Sequence, residues 1–174
     1  MILGGNKMGK ALLVIDMQNV FVGKNHNKMF NYNHEELIFN ANKLIDSYPE
    51  DSVFYIINIM KKNLINIFAP FKVYEGTKEA EIAEEINVVS DLIFKKYKSD
   101  AFTNKALLER LRQDNIREVE IIGVDGGGCV ANTALGAIRN GFKVVINNQC
   151  VGTIFKENVD ELNKELKEKG AKFV

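Results

Sequence analysis

Short, unbroken apolar runs are the feature that most restricts how this chain folds. KALLVI at 10–15 and VFYIINI at 53–59 are too short for helices that span a core, and polar residues do not alternate through them. A run of that kind fits a strand covered on both faces, the setting of a parallel sheet. DLIFK at 91–95, VEIIGV at 119–124, FKVVI at 142–146 and AKFV at 171–174 read as further strands.

Helical spacing fills the segments between. Asn33 with Glu36 resembles an N-cap box ahead of Leu37, Ile38, Ala41, Leu44 and Ile45. KEAEIAEEI at 78–86 suits a short amphipathic helix. Thr103 or Asn104 caps a helix with Leu107, Leu108 and Leu111 inward, and Asn115 suits its end. Helices over 129–140 and 156–169 stop at Gly141 and Gly170. Strands alternating with helices predict a parallel sheet with helices on both faces.

With 174 residues the chain is expected to form a single domain over 1–174, with 1–9 as a flexible leader. Lys+Arg and Asp+Glu are both 23, and this balance gives no bulk attraction to nucleic acid or an anionic membrane. Two cysteines and no long apolar segment point to a reducing, cytoplasmic setting. The long connections over 20–33 and 60–77 are expected to line a pocket, with Phe21, Phe68 and Phe71 as candidate walls.

In open parallel sheets, ligands bind beyond the carboxyl ends of the strands. Asp16 follows the first strand, Lys96 the third, and Cys129 the fourth, after the glycine-rich turn of Asp125, Gly126, Gly127 and Gly128. Those groups supply an acid–base function, a cation and a nucleophile on one rim. The thiolate is the attacking species, and a helix N-terminus and a nearby lysine are expected to lower the Cys129 pKa. Backbone N–H groups of the turn suit an oxyanion, and Gly126 and Gly128 allow close approach of a ligand. The turn is neither a dinucleotide fingerprint nor a P-loop. Cys150 lacks such a setting and reads as structural.

Three segments carry a resemblance. ALLVIDMQNVFV at 11–22, KYKSDAF at 96–102 and GVDGGGCVANTALGAIRNGFKV at 123–144 together resemble the isochorismatase-like cysteine hydrolases, which include nicotinamidases and N-carbamoyl amide hydrolases. The resemblance implies a Rossmann-like three-layer α/β/α fold around a six-stranded parallel sheet. It implies a triad of Asp16, Lys96 and Cys129, and it selects Lys96 over Lys95 and Lys98. It also implies a non-proline cis peptide at Val124–Asp125, with the N–H groups of Asp125 and Cys129 as oxyanion donors. A homodimer or larger homo-oligomer acting on a small-molecule substrate is implied as well.

The chain departs from the family where nicotinamidases hold a metal. That region reads Asn58-Ile59-Met60-Lys61-Lys62, with no histidine after His34, so no metal and no cofactor is expected. Gly126 stands where a threonine is usual, and Asp125 opposes thiolate formation if it faces the thiol. The resulting expectation is a metal-independent cysteine hydrolase that cleaves the C–N bond of a small amide through a Cys129 thioester. The alternatives are a non-catalytic binding or assembly protein of the same fold, and a vinyl-ether hydrolase of the isochorismatase type.

Overall fold

The structure, a computed structural model, describes residues 9–154 and 156–174. Six parallel strands form one sheet: β1 (Gly9–Ile15), β2 (Val53–Asn58), β3 (Ile93–Lys96), β4 (Ile116–Val124), β5 (Lys143–Gly152) and β6 (Lys172–Phe173). Their order is β3-β2-β1-β4-β5-β6. The chain therefore winds outward from β1 to one edge, then returns beside β1 and winds to the other. Between β1 and β4 the winding direction reverses, and a crevice opens there at the carboxyl ends of the strands.

Among the described residues, five α-helical segments accompany the sheet: α1 (His34–Ile45), the single turn α2 (Leu64–Ile67), α3 (Lys105–Gln113), α4 (Ala131–Arg139) and α5 (Val159–Glu168). Leu12 and Val14 of β1 pack in one core with Leu37, Ala41 and Ile45 of α1. Ala11, Leu13 and Ile15 pack in the other with Leu107, Ala134 and Leu166 of α3, α4 and α5. That two-sided burial is why the β1 run is apolar without alternation. This is the three-layer α/β/α arrangement.

Local signals act as the sequence suggests. The Asn33 side chain accepts from the Glu36 N–H at 3.4 Å, and the Glu36 carboxylate accepts from Asn33 Nδ2 at 2.7 Å. Asn104 caps α3 through Ala106 and Leu107, and Asn115 follows that helix at φ 56°.

Three expectations change. The helix expected over 78–86 is only a 3-10 turn, Lys78–Ala80. Tertiary pairing overrides the helical spacing: Asn19 N–H donates to Glu81 O at 2.9 Å, Ala83 N–H to Met17 O at 2.9 Å, and Gln18 bridges to Ile82. β5 runs on past Ile146 to Gly152, because a register shift after Ile121 lets Val151 and Gly152 pair with Gly123 and Val124. The helix after the glycine-rich turn begins at Ala131 and not at Cys129. The leader expected over 1–9 lies outside the described residues, apart from Gly9, which opens β1.

Candidate active site

Asp16 directly follows β1, in the left-handed region at φ 54°, which aspartate tolerates better than most residues. Its N–H donates to Ile56 O at 2.8 Å, so it is held against the neighbouring strand. Lys96 is the last residue of β3, with Asn58 of β2 beside it in register. Its long stem spans the end of β2 to reach the group that follows β1. Lys96 Nζ lies 2.8 Å from Asp16 Oδ2 and donates to Cys129 Sγ at 3.1 Å. Both ionic side chains are buried, with Asp16 at 2% and Lys96 at 1% exposure. The other carboxylate oxygen, Asp16 Oδ1, is buried and has no hydrogen-bond partner among the described residues.

Gln18, fully buried, braces this rim and went unnoticed in the sequence. Its Nε2 donates to Asn58 O at 3.0 Å and Ala80 O at 2.8 Å, and its Oε1 accepts from Asn58 N–H at 2.8 Å. One amide thus ties the end of β2 and the 78–83 segment to the loop that follows Asp16. A glutamine next to apolar residues was the available signal.

The turn carrying Cys129 starts at a cis peptide, Val124–Asp125. Asp125 O accepts from Gly128 N–H at 3.0 Å and from Val130 N–H at 3.1 Å, which makes a wide turn before α4. The Asp125 carboxylate serves the backbone: Oδ1 accepts from Gly127 N–H at 2.9 Å and Oδ2 from Ile154 N–H at 2.6 Å. Gly126 also has a steric reason. A Cβ there would stand 2.2 Å from Thr153 Oγ1, so Thr153 occupies the space that a side chain at 126 would need.

The electrostatics reverse one expectation. Burial, and then the Asp16 charge, push the Cys129 thiol up to about 12, against the opposing pull of Lys96. Burial raises the Asp16 pKa above its ordinary 3.8, with Lys96 pulling the other way. Burial also works against the Lys96 charge, but the negative charges of Asp16 and Cys129 outweigh it and raise that pKa. A helix N-terminus and a lysine do not store a thiolate here, because the carboxylate shares the same dry site. Asp125 is not among the causes of the thiol's rise.

A cavity of about 120 Å³ opens onto Cys129 and Asp16. Phe21 and Phe71 line it, joined by Phe30, Tyr32, Asn58 and Val124, with Gly128 and Asp125. Phe68 does not line it: it stands 87% exposed beyond α2. Gly126 faces a separate cavity behind the turn, against Val151 and Thr153. Phe30 and Tyr32 were missed because their loop has no periodicity. A larger cleft of about 740 Å³ shares only Phe71 with this cavity and contains none of the three polar groups. Cys150 is 3% exposed in the α1-side core, whereas Cys129 packs against the opposite core.

A family model described as the isochorismatase domain matches residues 10–174. An uncharacterized isochorismatase family protein, YddQ of Bacillus subtilis, is 27% identical over 150 residues, covering 84% of this chain and 79% of the relative. The pyrazinamidase of Pyrococcus horikoshii, solved in complex with zinc, superposes with a TM-score of 0.81 at 24% identity, over 95% of this chain and 98% of the other. N-carbamoylsarcosine amidase of Thermoplasma acidophilum gives a TM-score of 0.79 at 22% identity, with 95% of both chains covered. At those identities the two structures establish the shared fold. The donor set here does not fit a zinc ion: no three His, Cys, Asp or Glu side chains cluster to hold a metal among the described residues. Beyond Asn58 the chain instead offers Lys61 and Lys62, whose ammonium groups each lie 5.7 Å from a ring centroid, that of Tyr97 and Tyr74 respectively.

Proposed function

That the chain belongs to the isochorismatase-domain family is the premise from which we propose a metal-independent cysteine hydrolase that cleaves the C–N bond of a small amide. The observation that carries this reading is the single buried ammonium of Lys96, bonded at once to Asp16 Oδ2 and Cys129 Sγ. A structural ion pair needs no thiol, and a structural cysteine needs no buried lysine.

In the first half-reaction, Asp16 Oδ1 takes the thiol proton as Sγ bonds to the amide carbonyl carbon. The electron pair of the C=O bond moves to oxygen, where the N–H groups of Asp125 and Cys129 receive it; one well-placed donor of this kind is worth about 3–4 kcal/mol. Asp16 then protonates the departing nitrogen, the C–N bond breaks, and a thioester remains on Cys129. In the second half-reaction, Asp16 takes a proton from water, whose oxygen displaces Sγ, and the acid leaves with the thiol restored. The elevated pKa values of Cys129 and Asp16 suit this cycle. The thiolate forms only as its proton moves, and Asp16 is a stronger base than a solvated carboxylate. Lys96 faces both partners, so its ammonium is the counter-charge for whichever of the two is ionised.

The amidases among the structural neighbours support amide over vinyl-ether chemistry. A non-catalytic binding protein would be favoured by an Asp125 turned on the thiol and a Gly126 without a steric reason. Asp125 is committed to two backbone N–H groups, and Gly126 yields its space to Thr153. Ammonia release from a panel of primary amides, with intact-mass detection of an acyl adduct, tests the proposal. Cys129→Ala is expected to abolish both signals, and substantial ammonia release by that variant refutes the nucleophile assignment.

A further inference from the structure

One buried hydroxyl at the cavity plays no part in the chemistry above. The phenol oxygen of Tyr32 is buried without a hydrogen-bond partner among the described residues. Buried polar groups are nearly always paired, so an orphan beside a reactive thiol points to a ligand atom as its partner. The ring carrying it is clamped on three sides. Phe30 stacks on it at 6.2 Å, and His34, itself stacked on His26 at 3.5 Å, meets it edge-on at 5.4 Å. The third side rests on Gly152 of β5, where a Cβ would come within 2.8 Å of Tyr32 Cδ1. The hydroxyl is thus pre-positioned and needs little ordering on binding.

Burial, followed by the negative charges of Asp125, Asp16 and Cys129, holds the phenol in its O–H form. Tyr32 lines the same cavity as Asp16 and Cys129. Phe21, Phe30, Phe71 and Val124 are apolar walls, and Asn58 adds a neutral polar one. Among the described residues, no Lys or Arg lines the cavity, and the adjoining ammonium of Lys96 is already bonded to Asp16 and Cys129. A negatively charged substrate would enter an apolar space beside two carboxylates with no cation to receive it.

We propose that Tyr32 is a specificity-determining residue whose O–H donates to a second acceptor on a neutral small amide, and that the cavity rejects anionic amides. This rests on the hydrolase reading of the same cavity. At about 120 Å³ the space is slightly smaller than an engineered cavity of about 150 Å³ that takes benzene, so a molecule of roughly six heavy atoms fits.

Three probes of that size test it: methoxyacetamide, its isostere butyramide with CH₂ in place of the ether oxygen, and the malonamate anion. Binding is measured by NMR titration in a Cys129→Ala background, so that no probe is consumed, with Tyr32 intact or changed to Phe. Methoxyacetamide is expected to bind about tenfold or more tightly than butyramide. Tyr32→Phe should remove that preference, leave butyramide within about twofold, and leave malonamate unbound. The proposal is overturned if Tyr32→Phe keeps the ether preference, if neither neutral amide binds, or if malonamate binds as well as methoxyacetamide. Failure of the hydrolase reading is distinct: the wild-type chain would bind the ether amide through Tyr32 yet release no ammonia from any amide.

Discussion

Replacing Lys96 with Met removes the one cation that faces both Asp16 and Cys129 while keeping most of the buried stem. The Asp16 side chain is 3% exposed and that of Lys96 is 0%, so bulk solvent screens little of the charge that the ammonium leaves behind. Leaving one partner of a buried pair unpaired costs about 3–5 kcal/mol. The variant has one escape, which is to bind a proton at Asp16. From an unfolded-state value of 3.8, protonation at pH 7 costs about 4 kcal/mol, at about 1.4 kcal/mol per unit, and at pH 5 about 1.6 kcal/mol. The folded variant then holds a proton that the unfolded chain lacks, so its stability falls as pH rises above 3.8. Urea unfolding of both proteins at pH 5 and pH 7 is expected to show a deficit of about 3–4 kcal/mol at the higher pH that shrinks by about half or more at the lower. A deficit below about 1 kcal/mol at pH 7, or one of equal size at both pH values, would refute the argument that Lys96 sustains an ionised Asp16.

Two further outcomes follow from the same site. Because burial raises Asp16 and the charges of Asp16 and Cys129 raise Lys96, kcat/KM on an accepted amide should fall in acid with a midpoint above 3.8 and show no alkaline loss below about 10.5. A limb centred near pH 8.5, the ordinary thiol value, would sink the proton-transfer scheme. Gly126→Thr should destabilise the chain by about 1–3 kcal/mol through overpacking against Thr153, measured by thermal or urea unfolding. Thr153→Ala in the same chain should recover most of that loss; additive losses would show that the two positions do not compete for space.

The sequence alone determined which segments form the sheet and which three polar side chains stand at its rim. Runs such as 10–15 are apolar throughout because both faces of β1 are covered, a property written in consecutive residues. The caps at Asn33 and Asn104 are equally local, since each binds N–H groups two or three residues away. Tertiary contact decided the rest. The 78–86 segment has helical spacing, yet its backbone hydrogen-bonds to residues 17–20, a pairing that no local pattern reports. Phe68 and Phe71 are near neighbours of one residue type, and only the path of the loop makes one a wall and leaves the other exposed. Asp125 opposes a thiolate if it faces the thiol, yet its carboxylate accepts from the N–H of Ile154, 29 positions on. The charge on Cys129 is the sharpest case. Its neighbours in sequence favour a thiolate, but its neighbours in space include a carboxylate in a dry cavity, and burial decides the sign.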